Sequence, residues 1–160
     1  RLYDDFRMET ATQKAAAEGY RTIRAGMVNR KNVAAPIQLL YSYVKLLDPG
    51  SVVREGELST LMKIGSIDQR IGNAITQAQK GLMDPSLRAD IEQQAQSLAG
   101  GYYGAWKNIR TIFSERARVE GISSDLDTIL PNYFTGMGLE NASAPKPEPK
   151  VRPRPGEGHP

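Results

Sequence analysis

The sequence predicts an all-α protein: a helical bundle with one long C-terminal helix, over about residues 85–120, and a disordered or extended Pro-rich tail. Apolar residues recur every three or four positions over several stretches, which is the spacing of an amphipathic helix. No segment shows the period-two alternation that a half-buried strand requires. The Asp-Pro pairs at residues 48–49 and 84–85 are typical of helix starts, because Asp caps a helix and Pro is tolerated in its first turn.

The composition limits the classes of function. A chain of 160 residues can form one domain, and we expect a helical domain over residues 1–131 followed by an extended Pro-rich tail over residues 132–160. The 21 basic residues nearly balance the 18 acidic ones, so the net charge of +3 does not indicate a nucleic-acid partner. The absence of cysteine excludes disulfides and thiolate chemistry. The chain begins at Arg1 rather than Met, so we expect a processed product or a piece of a longer protein.

Two helices are expected in the first fifty residues. From Asp4 to about Arg30 the apolar positions predict one amphipathic helix; its apolar residues are Phe6, Ala16, Tyr20, Ile23 and Met27. Pro36 favours a new helix start, with Asn32 as a candidate cap. Residues 37–47 are apolar on two faces, so we expect this helix to be central and buried on much of its circumference.

Two shorter helices and the long one are expected next. Residues 58–64 and 67–81 have helical spacing, with a stop and a cap at residues 65–66 between them. From residue 85 the spacing approaches the 3.5-residue period of a heptad repeat; the positions are Leu87, Ile91, Ala95, Leu98, Tyr102, Ala105, Ile109, Ile112 and Arg116. The segment 99–104, with three glycines, predicts a bend or break. Gly121 predicts the helix end, and residues 123–130 a last turn.

Side chains suited to catalysis or metal binding are scarce. The single histidine, His159, lies in the tail, which argues against His-based metal sites and Ser/His catalysis. Glycosidic cleavage can use two carboxyl groups, and the carboxylates that lie in pairs along the sequence are Asp4/Asp5, Glu55/Glu57 and Asp125/Asp127. We expect these pairs to cap helices or to face solvent. The sequence therefore predicts no enzymatic activity, no catalytic residue, no cofactor and no metal site.

Basic and aromatic residues on the helices allow two interpretations each. We interpret two sets of basic residues as ordinary solvated helix faces rather than a DNA-binding surface. The first set is Arg21, Arg24, Arg30 and Lys31, and the second is Lys107, Arg110, Arg116 and Arg118. Tyr102 and Trp106 beside Lys107 could stack on bases, but their i, i+4 spacing favours a core or subunit contact. The residues predicted to form an assembly face are Leu98, Tyr102, Trp106, Ile109 and Phe113.

The segment "LLDPGSVVREGE" is interpreted as a corner between helices. Pro49 disfavours a helical conformation at Asp48, so a helix ends there, and Asp48 or Ser51 can cap the next one. Two valines should anchor the corner in the core, and the charged residues after them should pair with neighbours or with another subunit. The predicted corner and interface residues are Asp48, Pro49, Gly50, Ser51, Val52, Val53, Arg54 and Glu55.

The same region carries a family resemblance. "LLYSYVKLLDPGSVVREGE" resembles a signature of tailed-bacteriophage internal virion, DNA-ejection and tape-measure-like proteins, which place a "DDFR.ET" helix upstream, as at Asp4–Thr10. The resemblance covers about Asp4–Ala78, and "KLLDPGSVVREGE" is its specific part. The chain departs from the family at "LSTLMKIGSIDQRIG", where an Asn/Ala/Gly-rich segment is usual, and the C-terminal helix and tail carry no match.

The resemblance implies a non-enzymatic structural component of the virion, acting as an oligomeric helical module in genome ejection or in the head or tail conduit. Its expected partners are further copies of the chain and other virion proteins, with weak non-specific contact to DNA and contact with the host envelope during infection. The expected location is the virion, and the host periplasm or envelope after ejection. The alternative is a helical scaffold or adaptor that binds a protein partner through "PKPEP" and "RPRP" in its tail.

Overall fold

The structure is a computed structural model that describes residues 1–28, 35–50, 83–122 and 125–140, with the separate positions 73, 76–78 and 80. Helices with both ends in this part are α1 (Leu2–Glu9), α2 (Ala11–Val28), α3 (Ala35–Leu47), α4 (Pro85–Val119) and α5 (Leu126–Ile129). The described residues contain no strand, which confirms the all-α prediction, and α4 confirms the long helix. The helices predicted over residues 58–64 and 67–81, the Asn32 cap and the tail beyond residue 140 lie wholly or largely outside the described residues.

The single helix predicted over residues 4–30 is two helices, separated at Thr10. The Thr10 hydroxyl donates a hydrogen bond of 2.7 Å to the Phe6 carbonyl, one turn earlier. Such a bond competes with the backbone ladder and bends a helix. Thr10 is fully buried, and its Oγ1 lies 3.2 Å from Tyr133 Oη, far along the chain. The interruption is therefore fixed by a tertiary contact that the local sequence does not show.

The core lies where α2, α3 and α4 meet, and α2 contacts each of α1, α3 and α4. The apolar residues predicted for the first helices face this core, with Phe6, Ala16, Tyr20 and Ile23 buried. Gly19 lies against α3, since a Cβ at this position would be in ordinary van der Waals contact with the Ser42 carbonyl oxygen, at 3.6 Å. Helix α3 is apolar on two faces as predicted, and its buried residues are Pro36, Leu39, Leu40, Tyr43, Val44 and Leu46.

Helix α4 begins as its sequence predicts. Asp84 Oδ1 accepts from the backbone N–H of Ser86 at 2.7 Å and of Leu87 at 3.4 Å, and Pro85 opens the first turn. The hydrogen bond from the Ser86 hydroxyl, followed by the two backbone bonds, holds the pKa of Asp84 below its ordinary value. The cap therefore stabilises the fold above the ordinary pKa of Asp, and this contribution is lost as the pH falls through the lowered value.

The sequence predicted a bend or a break at the glycines of α4, and no break occurs there, because the helix is continuous from Pro85 to Val119. In the second half of the helix, however, the residues that face the core differ from those of the predicted stripe. Phe113 packs against the core, whereas Ile112 is 67% exposed. A straight α-helix has 3.6 residues per turn and drifts by about 20° per heptad from a 3.5-residue repeat. Over three heptads the drift is about 60°, which is more than half of the rotation of about 100° between successive residues. Phe113 therefore faces the core in place of Ile112.

Helix α4 ends at Val119, with Glu120 as its C-cap, and Gly121 directly after the cap is the stop that the sequence predicted. Gly121 has φ of 70°, its N–H donates to the Arg118 carbonyl at 3.2 Å, and the Ile122 N–H donates to the Ala117 carbonyl at 2.9 Å. These two bonds define a Schellman motif, which needs a left-handed residue after the helix.

Replacing Gly121 by Ala is expected to lower the free energy of unfolding by about 1–2 kcal/mol, because a side chain disfavours positive φ. The matched variant is Gly104→Ala, inside α4, where an added Cβ would have no other atom within 4 Å. We expect this second change to raise the free energy of unfolding by about 0.5–1 kcal/mol, through helix propensity. Urea denaturation measures both, and shifts of the same sign would contradict the account.

Residues 130–140, here called the return segment, fold back over the bundle without helical structure. Its apolar side chains are in the core, and the buried ones are Leu130, Phe134, Met137 and Leu139. Two cations of α2 hold its backbone: Arg21 donates to the Tyr133 carbonyl at 3.0 Å, and Arg24 to the Gly136 carbonyl at 2.9 Å. The sequence assigned residues 132–160 to an extended tail, but residues 132–140 pack into the core.

Candidate functional site

A cleft of about 350 Å³ opens beside Trp106 on α4. The rings of Tyr103 and Trp106 stack with centroids 5.7 Å apart, and Phe134 of the return segment packs edge-on against Tyr103 at 5.6 Å. Trp106 is only 3% exposed, and its Nε1 has no hydrogen-bond partner in the described part of the chain. So little of the indole is accessible that a nucleic-acid base cannot stack on it, which removes the base-stacking interpretation for Trp106.

Two cations lie over these rings. Lys107 Nζ is 5.6 Å from the Tyr103 centroid, and the Arg110 guanidinium is 5.7 Å from the Trp106 centroid. Arg110 also donates from Nε to the Leu130 carbonyl at 3.2 Å, and forms an ion pair with Asp127. Arg110 therefore holds α5 and the start of the return segment on α4, and its role is structural.

Most other residues of the two predicted basic sets also form hydrogen bonds within the chain. Arg116 donates to Glu120 at 2.8 Å and to Asp5 at 3.2 Å, and Arg118 donates to Glu115 at 3.0 Å. Arg21 and Arg24 bind the return segment, as described above. Arg30 and Lys31 lie outside the described residues. The described arginines thus form internal contacts rather than a free cationic stripe.

The two predicted carboxylate pairs in the described part of the chain, Asp4/Asp5 and Asp125/Asp127, are likewise engaged at helix ends and in ion pairs. Asp5 binds Arg116, and Asp127 binds Arg110. Asp125 caps α5, accepting from the Asp127 N–H at 3.1 Å and the Thr128 hydroxyl at 2.9 Å. Glu55 and Glu57 lie outside the described residues. Among the residues that the structure describes, no group of three potential metal ligands is present.

Only the first residues of the predicted corner are described. Helix α3 ends at Leu47, and the Asp48 N–H donates to the Val44 carbonyl at 3.2 Å before the turn at Pro49 and Gly50. Burial, and then the charge of Asp48, raises the pKa of Tyr102, so Asp48 lies near the middle of α4. The remaining predicted corner residues, Ser51, Val52, Val53, Arg54 and Glu55, lie outside the described part.

The residues predicted to form an assembly face pack instead against this chain's own core. Trp106 is buried, and the four that are partly buried against the core are Leu98, Tyr102, Ile109 and Phe113. Phe113 meets Phe6 of α1 edge-on, with centroids 5.4 Å apart. This face of α4 binds the other helices of the same chain.

A different side of α4 carries apolar side chains that the described fold leaves uncovered. Ile112 is 67% exposed and Val119 is 79% exposed. We call this side the outer face of α4; it comprises Gly101, Gly104, Ala105, Asn108, Ile112, Glu115 and Val119, spaced by three and four residues. The sequence placed Ile112 in the heptad-like apolar stripe and did not identify Val119, although the drift between 3.5 and 3.6 residues per turn predicts this change of face.

No protein-family model matches the chain, and comparison with curated proteins and with solved structures finds no match either. No helix in the described residues is long and apolar enough to cross a membrane. The class that the described fold defines is a helical bundle with an exposed long-helix face. Its function is therefore argued from that face and from the sequence signature.

Proposed function

We propose that this chain is a non-enzymatic structural module of a tailed-bacteriophage virion that works by associating with further copies of itself and with other virion proteins. The observation that carries the assembly role is the exposure of Ile112 and Val119 on one side of α4. The virion setting is supported by the resemblance of "KLLDPGSVVREGE" to internal virion and DNA-ejection proteins. Action in genome ejection or in a head or tail conduit follows from that resemblance.

The form of α4 suits an assembly element. At 1.5 Å per residue, its 35 residues span about 50 Å, so the helix can contact a neighbour over several turns. Isolated exposed apolar residues are common on protein surfaces. Ile112 and Val119, however, are separated by one heptad, which is the repeat that helices use to pair. The described carboxylate pairs engage in caps and ion pairs, which supports the non-enzymatic part of the proposal.

The proposal also includes weak contact with DNA. Non-specific DNA binding depends on the number of phosphates that basic side chains neutralise. The described arginines Arg21, Arg24, Arg110 and Arg116 already bind carbonyl or carboxylate groups of the chain. We therefore propose that protein contacts, rather than DNA contacts, determine its position in a particle.

Sedimentation equilibrium of the full chain is expected to show self-association that increases with concentration up to the high micromolar range. A species that stays monomeric throughout that range would overturn the assembly role. The virion setting has its own test: an antibody against the chain should label purified phage particles from the host that encodes it. Particles that contain their capsid protein but lack the chain would overturn that part.

A further inference from the structure

We draw no further inference here: the strongest candidate, the cleft beside Trp106 on α4, belongs to the site already described, where Arg110 is bound to Asp127 and to the Leu130 carbonyl and the indole N–H is buried, and nothing in the described part of the chain shows what would occupy it.

Discussion

A chain that ends at Pro131 is expected to lose cooperative unfolding, whereas a chain that ends at Glu140 is expected to keep it. The shorter chain lacks three buried side chains of the return segment, Phe134, Met137 and Leu139. Removal of a large buried apolar side chain costs about 2–5 kcal/mol, and the whole stability of a domain is about 5–15 kcal/mol. The loss is therefore comparable to the entire free energy of unfolding.

The shorter chain also leaves Arg21 and Arg24 without the carbonyl groups that they bind. Tyr103 and Trp106 lose Phe134 from their aromatic cluster. Thermal unfolding followed by far-UV and near-UV circular dichroism compares the two truncated chains with the full one. A chain ending at residue 131 that unfolds within a few degrees of the chain ending at residue 140 would show that the return segment is peripheral.

The helix ends that could be predicted are those fixed by local chemistry. Asp84 and Pro85 begin α4 through a side-chain cap, and Gly121 ends it through a left-handed backbone. These features depend on residues a few positions apart, so they are visible in the sequence. The interruption at Thr10 was missed because Tyr133, one of its partners, lies more than a hundred residues away in the chain.

The return segment was missed for a different reason. Its buried residues follow no helical or strand period, because the chain turns at Gly136 and Gly138, which have φ of 72° and 66°. Periodicity detects regular elements alone, so an irregular segment with a few anchoring side chains resembles the start of a disordered tail. The arginines of α2 that bind its carbonyl groups resemble solvated surface charges in the sequence for the same reason.

The spacing of an apolar stripe on a helix predicts that the stripe is covered, but not by what. Tyr102, Trp106 and Phe113 were correctly predicted to share an apolar face, but a face that binds another copy and a face that binds the same chain have the same spacing. What distinguishes them is whether another element of the chain covers the face. Here Phe6 and Phe134 cover it. The 3.6-residue period accounts for the exposure of Ile112 and Val119, but the spacing alone does not show that no described element covers them.

Phe6→Ala is expected to lower the free energy of unfolding by about 3–5 kcal/mol, because the side chain is fully buried and its ring packs against Phe113. Met8→Ala on the same helix is the matched control, and its exposed side chain should change stability by less than about 0.5 kcal/mol. Urea denaturation measures both, with an unchanged slope showing that the unfolding transition still spans the same surface.

The position of Phe6 near the chain start allows a competing outcome, in which α1 detaches alone and the rest of the bundle remains folded. In that case Phe6→Ala would reduce far-UV ellipticity before the main transition while the near-UV signal of Trp106 persisted. The structure argues against this, because Asp5 binds Arg116 and Thr10 lies beside Tyr133, so α1 is tied both to α4 and to the return segment. A single transition shared by both signals is therefore expected, and two separated transitions would show that α1 is not part of the cooperative core.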